Sequence, residues 1–325
     1  MTKVVRIHEV GAPDTLRLEE IELRAPGRGE VLVRQSFAGV NYVDVYHRTG
    51  LYALPHIPAV LGVEGAGTVE AVGPDVDSIR VGDRVAYTAL PVGAYAAARL
   101  IPADRLLRLP PAVQEQSAAG AMLRGVTAHM LLHRIYPVGP GATLLVHAAA
   151  GGLGLVLTQW AKLLGATVIG TVGNEEKAEI ASAAGLDHAI LYRNVDFVSA
   201  VREITDGRGV DVAYDGIGGP TLLKTFDAVR SFGTVASVGQ AGGPIPPIEV
   251  AQLGPRRSLS LSRPSVFGYM TEVEAYRAAA TAFLSRLEQG QLRASVGAVY
   301  PLADAAEAHR DLEARSTTGS ILLAA

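Results

Sequence analysis

The sequence predicts a two-domain α/β protein, in which a β-rich domain precedes a doubly wound parallel sheet. A length of 325 residues suits about two domains, each with its own hydrophobic core. Residues 31–113 consist of short Val- and Thr-rich runs separated by Gly, Pro and Asp, which is typical of β structure. From residue 143 onward, short apolar runs alternate with helical stretches, which is typical of a parallel sheet.

A predicted helix connects the β-rich region to the alternating part of the chain. It spans 118–136, where Met122, Val126 and Met130 recur near one face, and the segment PVGPG ends it. Strands are predicted at 143–147, 167–172, 189–192, 210–215 and 234–238. Helices are predicted at 153–164, 175–184, 198–205, 272–288 and 303–315, before a final apolar strand with the sequence SILLA.

The composition excludes several classes of function. With 29 Lys and Arg against 32 Asp and Glu, the net charge is −3, so the chain has no excess of cations for binding nucleic acid. It has no cysteine, which excludes disulfides, thiolate nucleophiles and Cys-bound metal clusters. The N-terminal segment has early charges and no apolar signal region, so we expect a cytoplasmic protein.

A glycine-rich turn lies between the first strand of the alternating part and the helix that follows it. The segment is TLLVHAAAGGLGLVLTQW, in which the glycine positions of a G-x-G-x-x-G motif are Ala149, Gly151 and Gly154. Glycines in such a turn allow a tight bend, approach of the backbone to a pyrophosphate, and close packing of helix on strand. Although alanine replaces the first glycine, the strand before and the helix after the turn predict a dinucleotide site.

The end of the second strand indicates which dinucleotide binds. NAD enzymes usually place Asp or Glu there, whereas this chain has Val172 and Gly173, followed by Lys177. Tyr192, at the end of the third strand, could lie against the same phosphate. The pattern favours NADPH, because no carboxylate would repel a 2′-phosphate. The alternative is that Lys177 is a solvated helix residue behind an Asn174 cap.

Several ordered motifs along the chain resemble a known family. They are AGVNYVDVYHRTGLY, GVEGAGTVEAVGPDV, MLRGVTAHMLL, HAAAGGLG, YDGIGG, SRPSVFGY and TTGSILL. Together they resemble the zinc-independent medium-chain dehydrogenase/reductases, specifically the NADPH:quinone oxidoreductases related to zeta-crystallin. The related zinc alcohol dehydrogenases have a zinc-binding Cys where this chain has Asn41 and a His where it has Val63, so the resemblance implies no zinc site.

The resemblance implies a domain arrangement and a set of site residues. A GroES-like catalytic domain would comprise residues 1–124 and 263–325, and a Rossmann NADP-binding domain residues 125–262, with the nicotinamide in the cleft between them. The implied cofactor-binding residues are Asn41, Tyr42, Thr127, Met130, Gly151, Gly152, Leu153, Gly154, Gly173, Lys177, Tyr192, Ile217, Val238, Gly239, Gln240, Ala241, Phe267 and Arg315.

The acceptor would be bound and activated by residues of the first motif. Without zinc, a hydrogen-bond donor must stabilise the developing oxyanion, and we predict Tyr46 as that donor and Asn41 as a positioning amide. Tyr52 is a further candidate for the substrate pocket. Asp44 is either a proton relay or an ordinary hydrogen-bonding residue. The alternative for Asn41 and Tyr46 is that both only pack in the cleft while solvent supplies the proton.

Two basic features outside these motifs have weaker functional interpretations. His129 and His133 are four residues apart on the predicted helix, but no third ligand is indicated, so we expect no metal. Arg263, in SRPS, either contacts the cofactor phosphates or braces the joint between domains.

The resemblance therefore implies an NADPH-dependent quinone reductase that transfers hydride without zinc. An enone or enoyl (alkenal) reductase is the alternative among enzymes. A non-catalytic NADPH-binding or RNA-binding protein is the alternative outside them, although the net charge argues against RNA. Relatives are commonly homodimers joined through the cofactor domain, and a strand within 247–261 could form that joint.

Overall fold

The computed structural model describes residues 1–325. Its strands are β1 Thr2–Ile7, β2 Arg17–Ile21, β3 Glu30–Val40, β4 Ala59–Val60, β5 Glu64–Val72, β6 Arg84–Thr88, β7 Ala98–Pro102, β8 Leu107–Arg108, β9 Thr143–Val146, β10 Thr167–Val172, β11 His188–Leu191, β12 Val210–Asp215, β13 Val229–Ser237, β14 Ser260–Ser262, β15 Val296–Pro301 and β16 Ser320–Ala324. Its helices are α1 Tyr42–Arg48, α2 Glu115–Ala119, α3 Met122–Met130, α4 Gly152–Leu163, α5 Glu175–Ala183, α6 Phe197–Ile204, α7 Gly219–Ala228, α8 Val266–Tyr269, α9 Val273–Glu288 and α10 Ala305–Ala314. None of the helices combines the length and apolar character needed to cross a bilayer.

The chain forms two compact units. The first contains residues 1–126 and 270–325, and the second contains residues 127–269. The first unit is therefore assembled from both end segments and the second from the middle of the sequence. The functional domain limits given above stay a prediction, because compactness alone does not define a functional domain.

The first unit is a β structure organised around the long strand β3. Its larger sheet has the order β15-β16-β3-β5-β6-β8, with β7 also paired to β3, and its smaller sheet has the order β2-β1-β4. Buried and more exposed side chains alternate along most of β3, as expected when one face of a sheet covers a core. Val33, Ile101 and Leu323 are among the buried members of that core. The predicted β-rich part of the chain is confirmed.

The second unit is a parallel sheet with helical crossovers. Its six strands have the order β11-β10-β9-β12-β13-β14, and every neighbouring pair is parallel. The chain runs outward from β9 in both directions, which places a topological switch point beside β9. Leu145, Ile169 and Val235 are fully buried in its core. The predicted doubly wound sheet is confirmed.

The predicted continuity of the helix over 118–136 is wrong. The segment forms the end of α2, α3 and a π-helical turn at Leu131–Ile135. Helix α2 ends at Gly120, where an added Cβ would lie 2.9 Å from Leu322 Cδ2 and 2.9 Å from Ser320 Cβ. Strand β16 packs too closely at this point for a side chain, so the helix is interrupted by a contact from the far end of the sequence.

Two further elements differ from expectation. Helix α1 lies within the region expected to be β-rich, and the only strand that includes residues of the segment 247–261 is Ser260–Ser262, which extends one residue beyond it. That strand, β14, pairs only with β13 and is an edge of the six-stranded sheet. The strand suggested for dimerisation is therefore reduced to three residues.

Candidate functional site

In the second unit, many of the predicted cofactor-binding residues lie in turns that follow parallel strands. The turns after β9, β10, β12 and β13 contain Gly151, Gly173, Ile217 and the segment 238–241, respectively. The carboxyl ends of parallel strands meet at one edge of a sheet, where open α/β sheets bind ligands. The structure therefore brings these predicted residues to a common edge.

The glycine turn after β9 forms a backbone cradle. Gly151 is the N-cap of α4, and an added Cβ at Gly154 would lie 2.4 Å from Ala148 O and 2.8 Å from Ala149 Cα. Glycine at 154 therefore allows the helix to approach the end of the strand this closely. The first N–H groups of a helix have no partners within it, so the start of α4 suits an anionic phosphate.

The alanine at the first motif position is accommodated by its surroundings. The left-handed residue of the turn is Ala148, with φ 53°, and Ala149 has no positive φ that would require glycine. A Cβ added at Gly170, on β10, would lie 2.5 Å from Ala149 Cβ. Glycine at 170 thus leaves the space that the methyl group of Ala149 occupies.

Arg193 lies beside Gly173 at the end of β10, and Lys177 lies in the helix that follows. A Cβ added at Gly173 would lie 3.5 Å from Tyr192 Oη and 3.8 Å from Arg193 Nε. Lys177 lies in the first turn of α5, where its backbone N–H donates to Asn174 Oδ1 at 2.9 Å. Sequence reasoning misses Arg193, although its position directly after Tyr192 could have indicated it.

A buried carboxylate shapes the turn after β12. Asp215 Oδ1 accepts hydrogen bonds from the backbone N–H groups of Ile217 and Gly218, at 2.8 and 2.9 Å. Its backbone carbonyl accepts from Val238 N–H at 2.7 Å, which joins this turn to the turn after β13. Sequence reasoning misses Asp215, because a carboxylate followed by glycines predicts no more than a turn.

Other candidate residues of the second unit lie on helices or beside the end of β13. Thr127 and Met130 are buried on α3, and Phe267 is half-buried on the short helix α8. Arg263 donates from Nη1 to Ser237 O at 2.9 Å and so braces the end of β13. A cofactor role for Thr127, Met130 and Phe267 stays a prediction.

In the first unit, a buried carboxylate holds Asn41 at the start of α1. Asn41 Nδ2 donates to Glu64 Oε1 at 2.7 Å, and Leu123 N–H donates to Glu64 Oε2 at 2.7 Å. Burial raises the pKa of Glu64, while the Arg124 charge and these hydrogen bonds oppose the shift. Because both carboxylate oxygens act as acceptors, Glu64 fixes which end of the Asn41 amide faces it.

A second buried network continues from α1 toward α10. Asp44 Oδ2 accepts from Asn41 N–H at 2.9 Å and from Tyr95 Oη at 3.0 Å, and Tyr95 Oη lies 3.0 Å from His309 Nε2. Burial raises the pKa of Asp44 to about 7 and lowers the pKa of His309 to about 3. His309 is therefore neutral, and Asp44 titrates near neutral pH. Sequence reasoning misses Tyr95 and His309, which are distant from Asp44 along the chain.

The predicted aromatic residues lie along α1 and the loop after it. The ring centroid of Tyr46 is 6.3 Å from that of Tyr42 and 5.1 Å from that of Tyr52. Burial raises the pKa of Tyr42, and the nearby Arg315 guanidinium opposes that shift. The structure thus brings these four predicted residues together around α1.

No group of three His, Cys, Asp or Glu side chains is arranged to hold a metal ion. Val63 is buried, and the side chain of Asn41 is engaged with Glu64. The rings of His129 and His133 are 4.6 Å apart and pack edge-on against the same indole, that of Trp160, at 5.7 and 6.0 Å. Aromatic packing accounts for the spacing of this histidine pair.

Two family models match the chain. A model described as an alcohol dehydrogenase GroES-like domain matches residues 27–111, and one described as a zinc-binding dehydrogenase matches residues 152–286. A 2-haloacrylate reductase from a Burkholderia species is 43% identical over 332 residues, and a quinone oxidoreductase from Pseudomonas aeruginosa is 40% identical over 323 residues. Each alignment covers 99% of both proteins.

A solved structure shares the same fold over the whole chain. It is the Escherichia coli quinone oxidoreductase complexed with NADPH, with a TM-score of 0.96 and 39% identity. The match covers 99% of this chain and 100% of that chain. The similarity therefore includes both the β-rich part of the chain and the parallel sheet.

Proposed function

This chain belongs to the medium-chain dehydrogenase/reductase family, in its quinone oxidoreductase branch, and we propose on that basis that it reduces quinones by hydride transfer from NADPH. The observation that carries the proposal is the cradle at Gly151–Gly154, together with Arg193 beside Gly173 and Lys177 in the first turn of α5. A cradle that a Cβ would fill suits a pyrophosphate, and cations beside a strand end that has Val172 and Gly173 in place of a carboxylate suit a 2′-phosphate.

The second unit would hold the cofactor through its strand-end turns. The pyrophosphate would lie against the first N–H groups of α4, and the adenosine 2′-phosphate near Gly173, Lys177 and Arg193. Asp215 would keep the turn at Ile217 in place through its hydrogen bonds to that backbone. When bound, NADPH supplies the hydride that reduces the acceptor.

The first unit would supply the groups that act on the acceptor. Tyr46 would donate a hydrogen bond to the acceptor oxygen as negative charge develops there, and the amide of Asn41 would help to position the acceptor. Glu64 would act through Asn41, because it accepts the amide hydrogen at 2.7 Å. A fixed amide loses no rotational freedom in the transition state, which is the benefit of such preorganisation.

The proposal is tested by steady-state oxidation of NADPH and NADH with 1,4-benzoquinone, 9,10-phenanthrenequinone and a simple enone. We expect quinone turnover with NADPH, and in Lys177→Ala a rise of about tenfold in the KM for NADPH with kcat retained. Lys224→Ala, which removes an exposed lysine from α7 in the same unit, is the matched control. Tight NADPH binding without turnover of any acceptor would contradict the proposed reaction and leave a cofactor-binding protein.

The role of Tyr46 is tested separately. Tyr46→Phe removes the hydroxyl and keeps the ring that packs on Tyr42 and Tyr52. We expect kcat/KM for quinones to fall by about ten- to a hundredfold, which is the range for loss of one proton or oxyanion donor. Unchanged kcat/KM would show that the tyrosine only lines the pocket and that solvent supplies the proton.

Reduction of an α,β-unsaturated acceptor is the second candidate function. It is favoured by the 43% identity to a 2-haloacrylate reductase, a value close to that for the quinone oxidoreductases. The same hydride donor and the same oxyanion donor would serve both reactions. Faster turnover of 2-chloroacrylate than of either quinone would favour this function.

Three further properties are part of the proposal. The enzyme would work without zinc, since Asn41 and Val63 are not zinc ligands. It would act in the cytoplasm. It would be a homodimer in which the edge strands β14 of two copies pair, a contact that the exposed N–H and C=O groups of an edge strand favour. Light scattering of Leu261→Pro against wild type would test the dimer, because proline removes a ladder donor from β14.

A further inference from the structure

The first unit contains a cavity of about 810 Å³ for which the proposed reaction has no use. Residues from β1, β4 and β7 line it, together with the loop after α1 and the segment 90–93. Asn41, Tyr46 and Tyr52 do not line it. The volume lies within the range of small-molecule sites in proteins.

The lining of this cavity is mostly apolar and has no acidic side chain. Val4, Leu54, Val60 and Leu100 supply aliphatic surface, and no Asp or Glu is among the lining residues. Leu90, also in the lining, is 46% exposed, so apolar surface continues toward solvent. Such a wall would bury the hydrocarbon part of a ligand.

One lining residue is a buried cation without a counter-ion. Arg99 is 6% exposed, and its guanidinium forms no ion pair with any carboxylate. Nη2 donates to Pro91 O at 3.1 Å and Nη1 donates to Tyr87 Oη at 3.4 Å, while Nε has no partner. Buried charges in proteins are normally paired, so this arrangement leaves capacity for an anion.

Neighbouring groups do not neutralise that charge. Tyr87 lies under the guanidinium, with its ring centroid 5.0 Å from Arg99 Cζ, but burial raises the pKa of its hydroxyl and keeps it neutral. Its hydroxyl hydrogen is donated to Gln35 Oε1. Arg6, the other arginine of the lining, already pairs with Glu19 at 3.2 Å. Arg99 is thus the cation in the lining of this cavity that has no carboxylate partner.

A second lining side chain also has a buried nitrogen without a partner. His47 Nδ1 is inaccessible to solvent and forms no hydrogen bond in the structure. Burial lowers the pKa of His47, so the ring is neutral and adds no second charge to the lining. The lining therefore combines an apolar wall with two arginines, of which only Arg99 has no carboxylate partner.

We propose that this cavity binds a small carboxylic acid with an apolar body, with the carboxylate paired to Arg99 and the hydrocarbon part against the aliphatic wall. The pairing would place a negative charge beside the uncompensated guanidinium, which favours charge-assisted hydrogen bonds over binding of a neutral analogue. The site goes beyond the proposed reductase activity, because it uses none of the residues assigned to that activity.

The test measures binding of 2-naphthoate and of its neutral analogue 2-naphthamide to the full chain by titration calorimetry, without NADPH or quinone. We expect 2-naphthoate to bind at least about tenfold more tightly than 2-naphthamide, and Arg99→Met to remove that difference. Arg34→Met, on the neighbouring strand β3, removes an exposed arginine that pairs with Glu70 and should leave both affinities unchanged.

A purely structural role for Arg99 gives a different result. In that case Arg99→Met would lower the melting temperature, while naphthoate and naphthamide would bind equally in wild type, which would overturn the proposal. If Arg99→Met does not fold, Ala53→Trp narrows the cavity from an exposed lining position and should abolish binding in a folded protein. In NMR spectra, the changes in backbone amide chemical shift on addition of 2-naphthoate should be largest at Gly93 and Ala96. Changes confined to other regions would also overturn the proposal.

Discussion

The candidate sites of the two units depend on different groups, namely backbone groups in the second unit and buried side chains in the first. In the second unit, Gly154 and Gly173 leave space at strand ends, and backbone N–H groups at the start of α4 are available for phosphate. In the first unit, Asn41 and Asp44 are held by buried side chains that come from other elements, Glu64 among them. A backbone site depends on residues close together in sequence, whereas a side-chain network depends on the fold bringing distant residues together.

The largest effect that would sharpen this comparison is a pH dependence of stability from Asp44. Its pKa is about 7 in the folded protein against an ordinary value of 3.8, so the folded state retains a proton that the unfolded state releases. The stabilisation is complete below pH 4 and is lost as pH rises through 7, by about 4 kcal/mol in total. Urea unfolding at pH 5 and pH 8 measures it, and between these pH values we expect wild type to lose about 3 kcal/mol more unfolding free energy than Asp44→Asn.

The comparison of wild type with Asp44→Asn isolates this group. The raised pKa of Glu64 acts in the same direction as that of Asp44, and the lowered pKa of His309 acts in the opposite direction. Asp44 is not among the causes of either shift, so both contributions are present in the two proteins and largely cancel in the difference. If the unfolding free energy changed equally with pH in wild type and in Asp44→Asn, the pH dependence could not be assigned to Asp44.

The next largest effect is expected from a substitution that disrupts the backbone site at the start of α4. In Gly154→Ala the added methyl carbon would lie 2.4 Å from Ala148 O, so helix α4 must move away from the strand end. We expect a loss of about 3 kcal/mol in unfolding free energy, typical of severe overpacking, with at least about tenfold weaker NADPH binding. Gly139→Ala is the control, since nothing lies within 4 Å of its added Cβ. Normal NADPH affinity in Gly154→Ala would argue against the cradle.

A smaller effect is expected from a substitution that disrupts the side-chain network around Asn41. In Glu64→Gln, one amide must face two donors, Asn41 Nδ2 and Leu123 N–H, so one of them loses its acceptor. This costs about 2 kcal/mol of stability, and we expect kcat for quinone to fall about tenfold with the KM for NADPH unchanged. Glu70→Gln, on the same strand but in a partly exposed pair, should change neither. A rise in the NADPH KM alone would contradict a role that acts through Asn41.

The smallest effect concerns Arg193 at the strand end. Arg193 is exposed and adjacent to Gly173, so its removal should weaken a contact with the 2′-phosphate by about 1 kcal/mol, or about fivefold in the KM for NADPH. The KM for NADH should not change, because NADH has no such phosphate. Kinetics of Arg193→Ala with both dinucleotides checks this, with Lys224→Ala as the control. An equal rise in the KM for NADPH and in the KM for NADH would contradict a contact between Arg193 and the 2′-phosphate.

Local chemistry explains which parts of the fold the sequence could predict. Strands β10 and β12 have the predicted bounds 167–172 and 210–215, because runs of β-branched residues between turn signals determine them locally. The break in the predicted helix at Gly120 could not be predicted, since its cause is the approach of β16. For the same reason, the glycine turn could be recognised from spacing, but the hydrogen bond from Asn41 to Glu64 could not.

The position of β16 has a consequence for synthesis on the ribosome. This strand lies between β15 and β3 in the larger sheet, although its residues, Ser320–Ala324, are translated after every other element. Because domains fold as units during translation, the second unit is expected to fold while β3 still lacks one neighbour. Loss of residues 320–324 would therefore remove an internal strand of the larger sheet and leave one side of β3 without a partner.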